Sequence, residues 1–306
     1  MRAQTDDRIG LDEIGRLYQA VLGRALDDHA RAYYDSLAPA AITRSEVLRI
    51  LAGSEEFRAL PEERRRAAGL VHPEIAAFER QGGIHWFHSM EFPDGRRVNG
   101  IKPLDTLKSE ADAIFRGGVA GKSVLDIGAW DGFFSFEAER RGAGRVLSTD
   151  WFCWGGPGWG TKAGYDYAHA EFASKCDSHE VDLFDLDPAK LGTFDVVLFL
   201  GVLYHLKDPL GGLEKAAAMS RERIVVETAT SLNNLRRPAM RFLPLKSLNA
   251  DPTNFFAPNV ACIVAMLQGM GFQRFATMRS PAIPAVRGTL AALTGGHMRH
   301  IVFAWR

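Results

Sequence analysis

Cysteine is scarce in this chain: Cys153, Cys176 and Cys262 stand far apart, with no CxxC pair among them. That spacing excludes a disulfide framework and a cysteine-based zinc site, and it suits a reducing compartment. A surplus charge of one sign is also missing, since Lys plus Arg and Asp plus Glu each number 37. Proteins that grip polyanions through phosphates usually carry a basic excess, so a nucleic-acid partner is not favoured. Long apolar runs are absent as well. The longest strongly apolar stretch, Val196 to Leu203, is eight residues, against the roughly 20 that cross a bilayer. The opening MRAQTDDRIG lacks the apolar segment of a secretory signal. No metal site and no membrane span are expected, and the expected location is the cytoplasm.

What is present is a chain of 306 residues, 46% hydrophobic and 24% charged, a globular composition at a length suited to two domains. Residues 1–75 read as a small all-α domain. Leu11, Ile14, Leu17, Tyr18, Val21 and Leu22 recur at helical spacing until Gly23. Further helices fit Asp28 to Leu37 and Arg44 to Ala52, the latter entered through Thr43 or Ser45 as a cap. The polar stretch 61–69 reads as a linker, with Arg64 to Arg66 as a solvated face.

From about residue 84 onward strand-like runs alternate with helical ones. The strands are expected at Ser123 to Gly128, Arg145 to Asp150, Glu180 to Phe184, Phe194 to Gly201, Arg223 to Ala229, Phe272 to Arg279 and Met298 to Trp305. The turn-rich segment 280–296 predicts a loop with a short helix. The alternation predicts an α/β domain over residues 76–306, a Rossmann-like sheet of seven strands wrapped by helices.

Residues 122–150, KSVLDIGAWDGFFSFEAERRGAGRVLSTD, carry the strongest local signal. A strand ends in Asp126, a glycine turn follows, and a helix opens after Gly132. A second strand closes in Asp150, where a carboxylate accepts from ribose hydroxyls. A dinucleotide turn needs glycine where Trp130 stands, so a ribose ligand without a pyrophosphate is expected.

VLDIGAWDGFFSFEAE resembles motif I of class I S-adenosylmethionine-dependent methyltransferases. FDVVLFLGVLYHLKDPL at 194–210, VVET at 225–228, HWFH with PDG at 85–95 and FFAPN at 255–259 are similar to the subgroup containing the tRNA wobble-uridine carboxymethyltransferases. The resemblance spans roughly 84–306. It implies a seven-stranded class I methyltransferase fold with S-adenosyl-L-methionine as cofactor. Asp126, Gly128 and Gly132 would line its methionine part and Asp150 its ribose. Trp151 would flank the adenine, with Asp185 and Leu186 at its edge and Asp182 or Asp187 as alternatives to Asp185. Gly201 and Val202 would meet the methionine amino group. The N-terminal stretch with LGR, Tyr33-Tyr34 and SEEF is similar to phycobilisome-linker repeats, which implies a docking or assembly module with a protein partner.

Methyl transfer to a hydroxyl is helped by a general base. Candidates for catalysis or acceptor contact are Tyr204, His205, His88 and Glu227. The basic segment 233–246 is placed to overhang the site, either receiving an anionic group of the acceptor or standing as a solvated loop. The relatives that transfer carboxymethyl need fixed cations. Their lysine has no counterpart in RQGG before Ile84, and Arg279 matches their arginine only loosely. Three readings follow: a methyltransferase on a small-molecule or glycan acceptor at oxygen, a tRNA wobble-uridine (carboxy)methyltransferase, and a non-catalytic nucleoside-binding scaffold.

Overall fold

The computed structural model describes residues 9–36, 42–80, 82–158, 161–244, 248, 251–281 and 294–306. It divides into two compact units, Met1–His85 and Trp86–Arg306. The division falls at 85/86 rather than at 75/76.

The first unit is helical: α1 Leu11–Val21, α2 Asp28–Ser36, α3 Arg44–Ala52, α4 Glu55–Ala59, α5 Glu62–Val71 and α6 Pro73–Arg80. Ile14, Leu17, Tyr18 and Val21 form the buried stripe of α1 and pack with Val47, Leu48, Leu51, Phe57 and Ile75 in one core. Thr43 caps α3 in a reciprocal box: its hydroxyl accepts from the Glu46 N–H at 3.3 Å, while the Glu46 carboxylate accepts from the Thr43 N–H at 2.7 Å. The expected linker 61–69 is instead most of α5. Pro61 precedes it, and Glu62 and Glu63 sit in its first turn, where acids favour a helix start. Leu37, the expected end of the second helix, lies outside the described residues.

The second unit is built on seven strands: β1 Ser123–Ile127, β2 Arg145–Asp150, β3 Asp177–Glu180, β4 Phe194–Leu200, β5 Ser220–Thr230, β6 Arg274–Arg279 and β7 Met298–Trp305. They lie in the order β3-β2-β1-β4-β5-β7-β6, with β7 antiparallel to both neighbours and the pairs from β3 to β5 parallel. The third strand is Asp177–Glu180 rather than Glu180 to Phe184. Val181 to Phe184 instead leads into a 3-10 turn at Leu183–Asp185. The central strand β4 buries Phe194, Val197 and Phe199 beside Ile224, Val226, Val302, and Ile263 and Leu267 of the helix Val260–Gly269. Each such side chain contributes roughly 1.5–3 kcal/mol by leaving water. Residues 282–293, where the loop with a short helix is expected, lie outside the described residues.

Parallel strands run outward from β1 on both sides, to β2 and to β4. The order therefore reverses there, and open sheets of this kind bind ligands outside the carboxyl ends of the strands at that point. Two small hairpins add to this unit, Met90–Glu91 with Arg97–Val98, and Met240–Phe242 with Phe256–Pro258. Among the described residues no helix is long and apolar enough to cross a membrane.

Candidate functional site

The chain leaves β1 through a turn that only glycine makes without strain at two points. Gly128 and Gly132 stand at φ +77° and +84°. A Cβ on Gly128 would come within 2.6 Å of Val202 Cγ2, and one on Gly132 within 2.7 Å of the Phe136 and Tyr165 rings. Trp130 takes a left-handed conformation, φ +50°, without being glycine, a strain of roughly 1–2 kcal/mol. Its surroundings hold it there. Its N–H donates to Asp150 Oδ2 at 3.0 Å, its carbonyl accepts from Trp154 Nε1 at 2.7 Å, and its ring stacks on Phe87 at 4.0 Å.

The N–H groups of this turn face inward. Gly128 and Ala129 both donate to the Thr149 carbonyl and Gly132 donates to that of Ala129. A phosphate nest needs such donors turned outward, so the turn is no pyrophosphate cradle. Asp150 Oδ1 accepts from Cys153 N–H at 2.9 Å while Oδ2 holds Trp130. With Trp151 N–H as a further backbone donor, the carboxylate retains acceptor capacity that suits a ribose hydroxyl. Burial raises its pKa, against the pull of its backbone donors. Asp126 lies beneath, accepting from Ser135 Oγ at 2.7 Å in a chain that continues through Ser148 to Tyr165. Burial pushes it up to about 7, with the Ser135 bond opposing and Asp150 adding. Asp131 accepts from the N–H groups of Phe87 and His88 at 2.7 and 2.8 Å, and burial pushes it to about 7 as well.

Beyond β4 the polar groups hold one another. Glu227 on β5 and Arg299 on β7 form a two-pronged ion pair at 2.7 and 2.6 Å. Arg299 Nη1 also donates to the Tyr204 hydroxyl at 3.3 Å, and its guanidinium lies 5.0 Å from that ring's centroid. Burial favours protonation of Glu227, but Arg299 outweighs it and holds the carboxyl below its ordinary range. Glu227 is thus an ion-paired carboxylate and not a free base. His205 Nδ1 lies 3.1 Å from the Thr253 carbonyl and 2.9 Å from its hydroxyl, which itself donates to Asp251. Burial keeps the ring below its ordinary pKa. His88 is enclosed by Phe87, Trp130, Phe133 and Phe134; its Nδ1 lies 3.8 Å from Asp131 Oδ2 and makes no hydrogen bond among the described residues. Burial, then Lys102, depress it well below the usual histidine range.

Of the remaining expected residues, Gly201 and Val202 follow β4, Val202 beside Gly128, and Gly201 N–H donates to the Glu227 carbonyl at 2.8 Å. Trp151 is exposed immediately after β2, and Leu186 is buried in the sheet core. Asp182 and Asp187 cap local turns through the N–H groups of Phe184 and Ala189. Asp185 is exposed and makes no side-chain hydrogen bond among the described residues, so it is the available acid of the three. The sequence reading missed Arg299 and Asp131. An arginine in the largely apolar strand MRHIVFAW, next to His300, was the signal for the former.

Residues 103–273 match a family model described as a methyltransferase domain, and residues 12–60 match a domain of unknown function. Among curated proteins, the chain is 26% identical over 160 residues to the tRNA U34 carboxymethyltransferase of Ectopseudomonas mendocina, covering 51% of this chain and 46% of that protein. It is 30% identical over 137 residues to the ubiquinone biosynthesis O-methyltransferase of Acinetobacter baumannii, covering 44% and 52%. The chain thus spans about half the length of the curated relatives it matches. The N-terminal domain of EvdMO1, solved in the presence of SAH and D-fucose, superposes with a TM-score of 0.53 at 19% identity, covering 80% of this chain and 97% of that one. That likeness is one of fold. The glycine cradle and the carboxylate closing β2 fit an adenosyl ligand, and the family match covers the strands that carry them. The scaffold reading therefore gives way to an enzyme, and this chain belongs to the methyltransferase-domain family as an S-adenosylmethionine-dependent methyltransferase.

Proposed function

We propose that the enzyme methylates a hydroxyl of a small-molecule or glycan acceptor, with His205 as general base. Bound S-adenosylmethionine supplies an electrophilic methyl group on a sulfonium. The chain's own part is to hold the donor, orient the acceptor and take its proton. Asp150, with Asp185 and Trp151 near the adenine, is read as the nucleoside grip. Gly128, Gly132, Gly201 and Val202 give the methionine part room, and Asp126 braces the turn from below.

One observation carries the base assignment. With Nδ1–H donated to the Thr253 carbonyl, His205 presents the lone pair of Nε2. The depressed pKa keeps that nitrogen unprotonated at neutral pH. His205 Nε2 would then take the proton of the acceptor hydroxyl as that oxygen accepts the methyl group the cofactor would supply. Tyr204, held by Arg299, orients the acceptor. His88 and Glu227 are assigned to packing and to fixing Arg299.

Mass spectrometry of hydroxylated acceptors, looking for a gain of one methyl, tests this reading. His205→Asn should lower kcat by about 100-fold or more, with SAH affinity within about twofold of the parent. Full turnover in that variant would remove His205 as base.

The tRNA reading stands second, supported by the names of the curated relatives. A carboxylated donor needs a cation for its extra carboxylate, but Arg299, the cation beside Tyr204, is already neutralised by Glu227. Including tRNA among the acceptors decides between the two. The N-terminal unit, by its resemblance to phycobilisome-linker repeats, is read as a docking module for a protein partner.

A further inference from the structure

A net charge of zero conceals a segregation of sign. Residues 229–306 contain nine Lys or Arg against one acid, Asp251, so the preceding part holds the matching acidic surplus. In the fold this becomes a contrast across the cleft. Asp126, Asp131, Asp150, Glu180 and Asp185 stand at or just beyond the carboxyl ends of β1 to β3. Beyond β5 and at the end of β6 stand Arg236, Arg237, Arg241 and Arg279. Three are exposed and Arg241 is half-buried.

These four arginines form no ion pair among the described residues. Arg96, Arg97, Arg140, Arg141 and Arg221, in the earlier part of the same unit, each hold a carboxylate. Arg116, Arg145 and Arg274 are likewise exposed and unpaired among the described residues, so what marks these four is their place at the carboxyl-end side of the sheet, where an anion from outside would compensate them. The segment is also held in shape. Buried Asn259 donates to the carbonyls of Arg237 and Leu235 at 2.8 and 3.3 Å, while its side-chain oxygen accepts from Ala239 N–H at 3.1 Å. Arg279 pairs in register with His300, and Arg241 acts on His297. Burial and Arg279 together push His300 to about 4. The backbone that carries Arg237 is thus braced by Asn259.

We propose that Arg236, Arg237, Arg241 and Arg279 receive a phosphoryl group carried by the methyl acceptor. The proposal rests on the small-acceptor reading and narrows it to phosphorylated compounds. A guanidinium fork matches phosphate geometry, and four such charges exceed what a single carboxylate balances. They suit one or two phosphates, fewer than the six to ten contacts typical of a nucleic-acid footprint.

Calorimetric titration of the full chain with inorganic phosphate and inorganic pyrophosphate, at low salt and with and without SAH, tests this. Pyrophosphate should bind the parent, and phosphate more weakly if a diphosphate is the natural group. R236Q/R237Q and R241Q/R279Q should each weaken pyrophosphate by about 10-fold or more, with SAH affinity within about twofold. Absence of pyrophosphate binding, or equal binding to both variants, overturns the proposal. So does tight binding of a structured RNA that both variants lose, with a salt slope of many phosphates. Failure to bind SAH would instead sink the methyltransferase site and leave the anion result standing.

Discussion

On the β1–β3 side of the cleft, Asp126, Gly128, Gly132 and Asp150 lie within one stretch of chain, and backbone N–H groups hold the turn and its closing carboxylate in place. On the β4–β7 side, Tyr204, Glu227 and Arg299 come from three distant segments and hold one another through side chains. The first arrangement is set mainly by local conformation, the second by tertiary pairing. The two halves should therefore respond differently to substitution.

The largest effect is expected on the paired side. Glu227→Ala leaves the Arg299 charge unpaired in a mostly buried position and should cost about 3–5 kcal/mol of stability, read as a lower urea midpoint. SAH affinity of the protein that remains folded should stay within about twofold. Loss of SAH binding there would erase the division between halves. Gly132→Val should cost about 3 kcal/mol, since it combines a positive φ with contact against Phe136 and Tyr165. Unlike Glu227→Ala, it should also abolish SAH binding at low temperature, where the variant is folded.

A pH effect sharpens the contrast. In the unfolded chain Asp126 and Asp131 lose their protons near pH 4, whereas in the fold they keep them up to about 7. Between pH 6.5 and 8 the folded state alone sheds protons, so stability should fall as pH rises, by on the order of 1 kcal/mol. Asp131→Asn, which still accepts both backbone bonds, should flatten the curve. An unchanged slope in that variant would show that Asp131 is ionised throughout. The smallest effect is at the edge of the cofactor half: Asp185→Ala should weaken SAH by about 3-fold, or about 0.6 kcal/mol, while Asp187→Ala should not.

The same contrast explains what the sequence revealed. The glycine turn and the acid closing β2 were legible because spacing along the chain is their geometry. Six of the seven strands were legible from apolar runs, but β3 was not. Its four residues, DSHE, are polar and exposed at the sheet edge, so no alternation marked it. The polar run at 61–69 looked like a linker because α5 buries little apolar surface to impose a helical period. Arg299 was missed because its partner Glu227 is 72 residues away, a pairing that no local pattern encodes. The cationic rim was seen as a basic segment, while the overall charge of zero hid how far the signs separate.

The account stands most directly on calorimetric titration of SAH into the parent protein and Asp150→Ala. Micromolar binding to the parent, weakened about 10-fold or more when the carboxylate is removed, is the predicted result. No binding to the parent, or equal affinity in both proteins, would contradict the assignment of the β1–β2 turn as the nucleoside site.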